Sequence, residues 1–191
     1  MLSQQFVWLA SALVVLGNVF YLRNTLRGTT KPNRITMLLW GVAPIISYAA
    51  QAKGHAGDQA WYTLIIGAAP LVILLASFVN KQAYWRITRF DLACGALSFL
   101  ALIALFVVHN PMVALGLSIL ADFAAGTPTI IKSYKHPHTE TTAMYALEII
   151  SSAIVILTIH EWRPVNYLFA VYILLMNVLL TSLLVFSPHR R

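Results

Sequence analysis

The chain has 191 residues, 59% of them hydrophobic and only 10% charged, with a formal net charge of +7 and a single cysteine. A soluble domain carries about 25% charged residues, so this apolar excess is more than one water-facing core can hide. A soluble fold is excluded as the first expectation, and nucleic acid as a partner goes with it, because no basic domain stands apart from the apolar blocks.

Seven apolar blocks follow one another, each at least about as long as the 17 residues needed to span a hydrocarbon core. The first, Phe6 to Leu22, is preceded by "MLSQQ", which offers no Lys or Arg, and its run exceeds the h-region of a cleavable signal. It is therefore expected to stay as a membrane helix, presenting Ser11, Asn18, Tyr21 and Thr25 on its polar side. The second, Ile35 to Ala52, sets Trp40, Pro44, Ser47, Tyr48 and Gln51 on one side, and the third runs from Ala60 to Val79. The fourth, Leu92 to Val108, reads "LACGALSFLALIALFVV" and holds little beyond Cys94 and Ser98 that is not apolar, which suits a lipid-facing connector. A lone thiol there excludes an intramolecular disulfide or a cysteine-rich metal motif.

The fifth block, Met112 to Ile131, carries Ser118, Asp122, Ala125, Gly126 and Thr129 at helical spacing along one stripe. The sixth, Thr141 to Ile159, carries Thr141, Tyr145, Glu148, Ser151 and Ser152, and the seventh, Val165 to Phe186, adds Asn166 and Asn177. The seventh has no lysine for a retinal Schiff base.

Basic residues set the expected orientation through the excess of Lys and Arg on the cytoplasmic side. With the N-terminus outside and the C-terminus in the cytoplasm, Arg23, Arg27, Lys31, Arg34, Lys81, Arg86, Arg89, Lys132, Lys135, Arg190 and Arg191 fall inside, and only Lys53 and Arg163 fall outside. The expected partners of this inner charge are anionic lipid headgroups.

Comparing the chain with itself gives an offset of 104 to 105 residues. "LGNVF" at 16–20 lies against "LADFA" at 120–124, which sets Asn18 opposite Asp122. "RGTTKPNRIT" at 27–36 lies against "KSYKHPHTET" at 132–141, and "PIIS" at 44–47 against "EIIS" at 148–151. The repeat divides the chain into a first three-helix unit, 1–87, a linker helix within 88–110, and a second three-helix unit with a short cytoplasmic tail, 111–191. The two units are separated by four crossings and so run parallel, an architecture found among transporters. The expected fold class is an all-α integral membrane protein: seven transmembrane helices, two parallel three-helix bundles and a linker.

A polar group in a membrane helix is costly unless it faces another helix, water or a solute. The stripes on blocks one, two, five, six and seven therefore predict a central cavity between the two units. Asp122 and Glu148 are the expected proton or cation relay, since no Lys or Arg lies at their depth to neutralise them. Asn18, Trp40, Tyr145, Asn177, Ser118 and Ser151 are the expected cavity lining, and Pro44 and Pro128 the expected hinges, because proline frees a backbone carbonyl inside a helix. "KHPHTE" brings His136, His138 and Glu140 together, but its spacing matches no defined metal site. Three further histidines, His55, His109 and His160, fall in outer connections. No metal or other cofactor is expected, and no nucleophile stands beside a base at usable spacing, so an enzyme is not expected.

On "LRNTLRGTTKPNRITMLLWG" at 22–41 and "PTIIKSYKHPHTETTAMYAL" at 128–147, the chain resembles the SWEET and PQ-loop superfamily of 3+1+3 membrane transporters. Pro128 and Thr129 are similar to that family's proline dipeptide at a helix end, Trp40 to its cavity-bordering aromatic, and Asn177 to a sugar-site asparagine. Glu148 stands where a hinge proline would match Pro44, and two buried carboxyls resemble the proton-coupled members. The resemblance implies alternating-access transport of a small solute, with protons as a coupled partner, in a bacterial-type cell membrane. The alternative is a seven-helix receptor or sorting protein that binds a ligand without moving it. Homo-oligomerisation is left open.

Overall fold

The computed structural model describes the backbone of residues 2–53, 58–108 and 110–190. Ser47, Gln51, Lys53 and Asn166, together with His55, His109 and Arg191, lie outside the described side chains. Among the described residues there are seven α-helices and no strand: α1 Phe6–Leu26, α2 Arg34–Lys53, α3 Asp58–Val79, α4 Arg89–Leu105, α5 Pro111–Lys135, α6 Thr142–Leu157 and α7 Pro164–Phe186. Their starts follow from local chemistry. Asn33 Oδ1 accepts from the amides of Ile35 and Thr36 at the head of α2, and Thr88 and Asp91 form a reciprocal capping box on α4. Asn110 caps α5 ahead of Pro111, whose missing N–H costs nothing at a first helical position.

Three helical stretches, Phe6–Leu26, Trp61–Val79 and Tyr167–Phe186, are long and apolar enough to cross a membrane by length and composition. Shorter apolar stretches occupy Arg34–Ile45 in α2 and Thr142–Leu157 in α6. The radial distribution of side chains is the reverse of a water-soluble protein's. Large apolar side chains point outward, among them Leu75, Val79, Leu100, Leu175 and Phe186. Ser11, Asn18, Thr25, Thr36, Ser77, Thr129, Ser133, Ser151, Ser152 and Asn177 are buried within. Polar groups sequestered behind an apolar exterior are what an apolar surrounding selects.

The helices pack in a ring around one axis. α1 packs on α3 and α3 on α2; α5 packs on α7 and α7 on α6; α1 then closes against α6, and α2 against α5. The order 1-3-2 of the first unit thus recurs as 5-7-6 in the second. α4 lies outside the ring, on α5 and α2.

Contacts repeat as well as order. Where α1 meets α6, Gly17 comes so close that a Cβ on it would lie 3.1 Å from the Met144 Cα. The sequence offset carries Gly17 onto Ala121 and Met144 onto Leu39, and these two share one buried cluster with Ala101, Leu102 and Ala125 where α5 meets α2 and α4. Within the first unit, α2 and α3 approach through Gly41 and Gly67, where a Cβ on Gly67 would lie 2.9 Å from the Gly41 carbonyl oxygen. A second cluster, Tyr21, Met37, Ile73, Met144, Tyr145, Met176, Leu180 and Leu184, draws on both units.

One end of the ring gathers the connections that hold most of the basic residues. The Lys31 amide donates to the Thr139 carbonyl at 2.9 Å, and the Thr30 and Thr141 hydroxyls lie 2.6 Å apart. Asn24 Nδ2 donates to Thr141 Oγ1, Asn80 Nδ2 to the Leu26 carbonyl, and Ser187 Oγ to the Tyr134 carbonyl. Arg34 binds Ser77 through both its hydroxyl and its carbonyl while lying over the Phe78 ring.

Candidate functional site

Asp122 on α5 and Glu148 on α6 line one cavity from the two helices that flank α7. Asp122 Oδ2 accepts the Tyr172 hydroxyl of α7 at 2.7 Å, and its backbone carbonyl accepts Trp40 Nε1 of α2 at 3.3 Å. The side-chain amides of Asn177 on α7 and Asn18 on α1 lie near the Glu148 carboxyl, which also feels the charge of Asp122. The two asparagines are held alike. Each donates to the carbonyl four residues back, Asn18 to Val14 at 2.9 Å and Asn177 to Ile173 at 3.0 Å. A bond of that kind uses the helix's own backbone to fix the amide's rotamer.

Between the carboxyls lies a cavity of about 60 Å³, lined by side chains from all six ring helices. At roughly 10–15 Å³ for each water's share of such space, it holds on the order of four waters. Trp40, Tyr62, Asp122, Glu148 and Asn177 are its polar and aromatic wall; Val14, Ile66, Pro70, Met144, Ile173, Met176 and Leu180 complete it. No Lys, Arg or His is among the lining residues.

Of the residues read from the sequence as lining, Trp40 and Asn177 stand on the wall and Asn18 stands directly behind Glu148. Ser151 is buried one hydrogen bond away, donating to the Ala10 carbonyl at 2.9 Å and pairing with the Tyr62 hydroxyl at 3.1 Å. Ser118 is partly buried on α5 and is not among the wall residues. Tyr145 departs from expectation: it is 1% exposed and turns its hydroxyl away from the cavity to Glu140 Oε2, at 3.0 Å. Pro44 and Pro128 both lie inside continuous helices, α2 and α5.

Several residues of the site escaped the sequence reading. Pro70, on the wall, lies inside α3 as Pro44 and Pro128 lie inside their helices, and the same signal would have found it. Tyr172, which bonds Asp122 without lining the cavity, had no such signal, since it stands five residues from Asn177, about 140° away around a helix. Met144 and Met176 are indistinguishable from core in a sequence.

The basic end also holds a surprise. Lys132, read as a headgroup anchor, is 1% exposed. Its ammonium donates to Glu140 Oε1 at 2.5 Å and to the Lys31 carbonyl, with the Trp85 ring 5.0 Å away. Tyr21 faces the same carboxylate. Glu140 is therefore committed to an ion pair inside the protein, while His136 and His138 stay exposed with rings 6.2 Å apart. No group of three metal-ligating side chains occurs among the described residues.

Comparison with protein-family models, with curated proteins and with solved structures gives no match. Fold and site together define an all-α protein with three helical stretches of membrane-crossing length and an acidic cavity lined by six of its helices.

Proposed function

We propose that the protein is a small-solute transporter of the SWEET and PQ-loop kind. All seven helices span the membrane, with the N-terminus outside and the C-terminus in the cytoplasm of a bacterial-type cell. The two three-helix units rock about the axial cavity to give alternating access, Pro44, Pro70 and Pro128 easing the bends. Asp122 and Glu148 exchange protons with the solute cycle. One observation carries the reading: a cavity holding two carboxyls sits where the units 1-3-2 and 5-7-6 meet. A site at the interface of repeated bundles is accessible to either side by rigid-body motion alone.

Uptake of a solute panel into proteoliposomes, with and without a pH gradient, tests this. Wild type is expected to move at least one solute, faster under the gradient, and Asp122→Asn and Glu148→Gln are each expected to remove the gradient dependence. Flux whose gradient response survives both substitutions eliminates the relay. If no solute moves under any gradient while a ligand still stabilises the protein, the receptor or sorting reading replaces transport.

A further inference from the structure

The cavity's hydrogen-bonding inventory is one-sided. Its donors are spent within the protein: the Tyr172 hydroxyl on Asp122 Oδ2, the Trp40 indole on the Asp122 carbonyl, and the Tyr62 hydroxyl in its pair with Ser151. Its acceptors are not. Asp122 Oδ1 receives no hydrogen bond among the described residues. Behind the wall, Asn18, only 7% exposed, gives its amide nitrogen to the Val14 carbonyl and keeps a buried Oδ1 without a partner. An acceptor buried without a donor is costly, and a buried carboxylate without a cation more so.

The wall supplies no cation to meet this deficit. It supplies two aromatic groups, Trp40 and Tyr62, and the thioethers of Met144 and Met176, surfaces that a positive charge favours. Size narrows the occupant further. Sites for drug-sized ligands enclose about 300–1,000 Å³, whereas this one offers about 60 Å³, which favours a small charged group.

We infer that the solute is a small organic cation bearing N–H donors, of the ammonium or guanidinium class, bound between Asp122 and Glu148. The inference rests on the transport reading for its meaning, but the site stands or falls by binding alone. The cation's N–H groups fill the empty acceptors and its charge offsets the two carboxylates. A cation without N–H groups does only the second.

The test uses purified full-length protein in detergent and follows thermal unfolding with methylguanidinium, tetramethylammonium, sodium or glucose added at matched ionic strength. Methylguanidinium is expected to raise the unfolding midpoint saturably, and the other three are not. Asp122→Asn and Glu148→Gln, read singly, are each expected to raise the half-saturating concentration about tenfold or more, the equivalent of about 1.4 kcal/mol. Equal stabilisation by tetramethylammonium or sodium overturns the assignment of N–H donors, and stabilisation by glucose alone overturns the cation; both comparisons need only wild type. Flux of the same probes in proteoliposomes separates the two readings. Binding of methylguanidinium without flux keeps the site and rejects transport, whereas glucose flux without cation binding keeps transport and rejects the site.

Discussion

Glu140 accepts from Lys132 through one carboxyl oxygen and from Tyr145 through the other, at 2.5 and 3.0 Å. Removing its charge leaves a buried ammonium with little besides the Lys31 carbonyl. Breaking one side of such a pair costs about 3–5 kcal/mol, while replacing both sides with apolar groups is far milder. Glu140→Gln is accordingly expected to be the more damaging change and Lys132→Met with Glu140→Leu the gentler one, read by unfolding titrations in mixed micelles. A single variant within about 1 kcal/mol of wild type would assign the pair to a solvated surface. At the cavity, Tyr172→Phe removes the hydroxyl that Asp122 Oδ2 accepts and is expected to cost roughly 0.6–2 kcal/mol, the usual scale for hydrogen bonds between membrane helices.

The polar residues of the cavity were legible because each stands in an apolar block where water-driven logic has no place for it. Their partners were not legible. Asn18 with Glu148, or Tyr172 with Asp122, depends on how one helix is rotated against another, which stripe spacing within a helix does not encode. Lys132 was misread for a related reason: a basic residue at the end of an apolar block has the same sequence signature whether it snorkels to headgroups or turns inward.

The helices themselves were visible in the sequence, with errors at their ends, two of which share one cause. α1 continues past Leu22 to Leu26 and α5 past Ile131 to Lys135, because hydropathy stops at the first charged residue and backbone hydrogen bonding does not. Close approach between elements depends on glycines that composition alone does not single out. A Cβ on Gly67 meets the Gly41 carbonyl oxygen at 2.9 Å, whereas one on Gly126 meets the flexible end of Met176 and, at 3.0 Å, the Trp40 ring. Gly67→Ala is thus expected to destabilise by about 1–3 kcal/mol, since rigid backbone must move. Gly126→Ala is expected to cost less, because a yielding Met side chain and a small shift of the Trp40 ring are set against the gain of roughly 0.5–1 kcal/mol that alanine brings to a helix interior. Paired thermal unfolding of the two variants checks the ranking, and a larger loss at Gly126 would contradict it.

At the scale of the whole molecule, the two seams of the ring are stitched by hydroxyls at corresponding places. Thr36 donates to the Ala125 carbonyl at 2.7 Å and accepts from Thr129 at the α2–α5 seam; Thr141 meets Thr30 and Asn24 beside the α1–α6 seam. If the units rock, these contacts at the basic end must part once in every cycle. Thr30→Cys with Thr141→Cys, placed in a Cys94→Ala background, is expected to form a disulfide on oxidation and to stop flux reversibly, with reductant restoring it. Undiminished flux through the fully oxidised protein would mean that this end does not open.

The wall of the cavity has an implication for how the chain is made. Asp122 emerges with the fifth helix and Glu148 with the sixth, yet the Tyr172 hydroxyl on Asp122 and the Asn177 amide near Glu148 belong to the seventh. If all seven helices span the membrane as proposed, two acidic side chains enter the bilayer before these groups have left the ribosome. On that reading the nascent protein carries its least tolerable residues in its least complete state, and only the last helix turns an insertion hazard into a site.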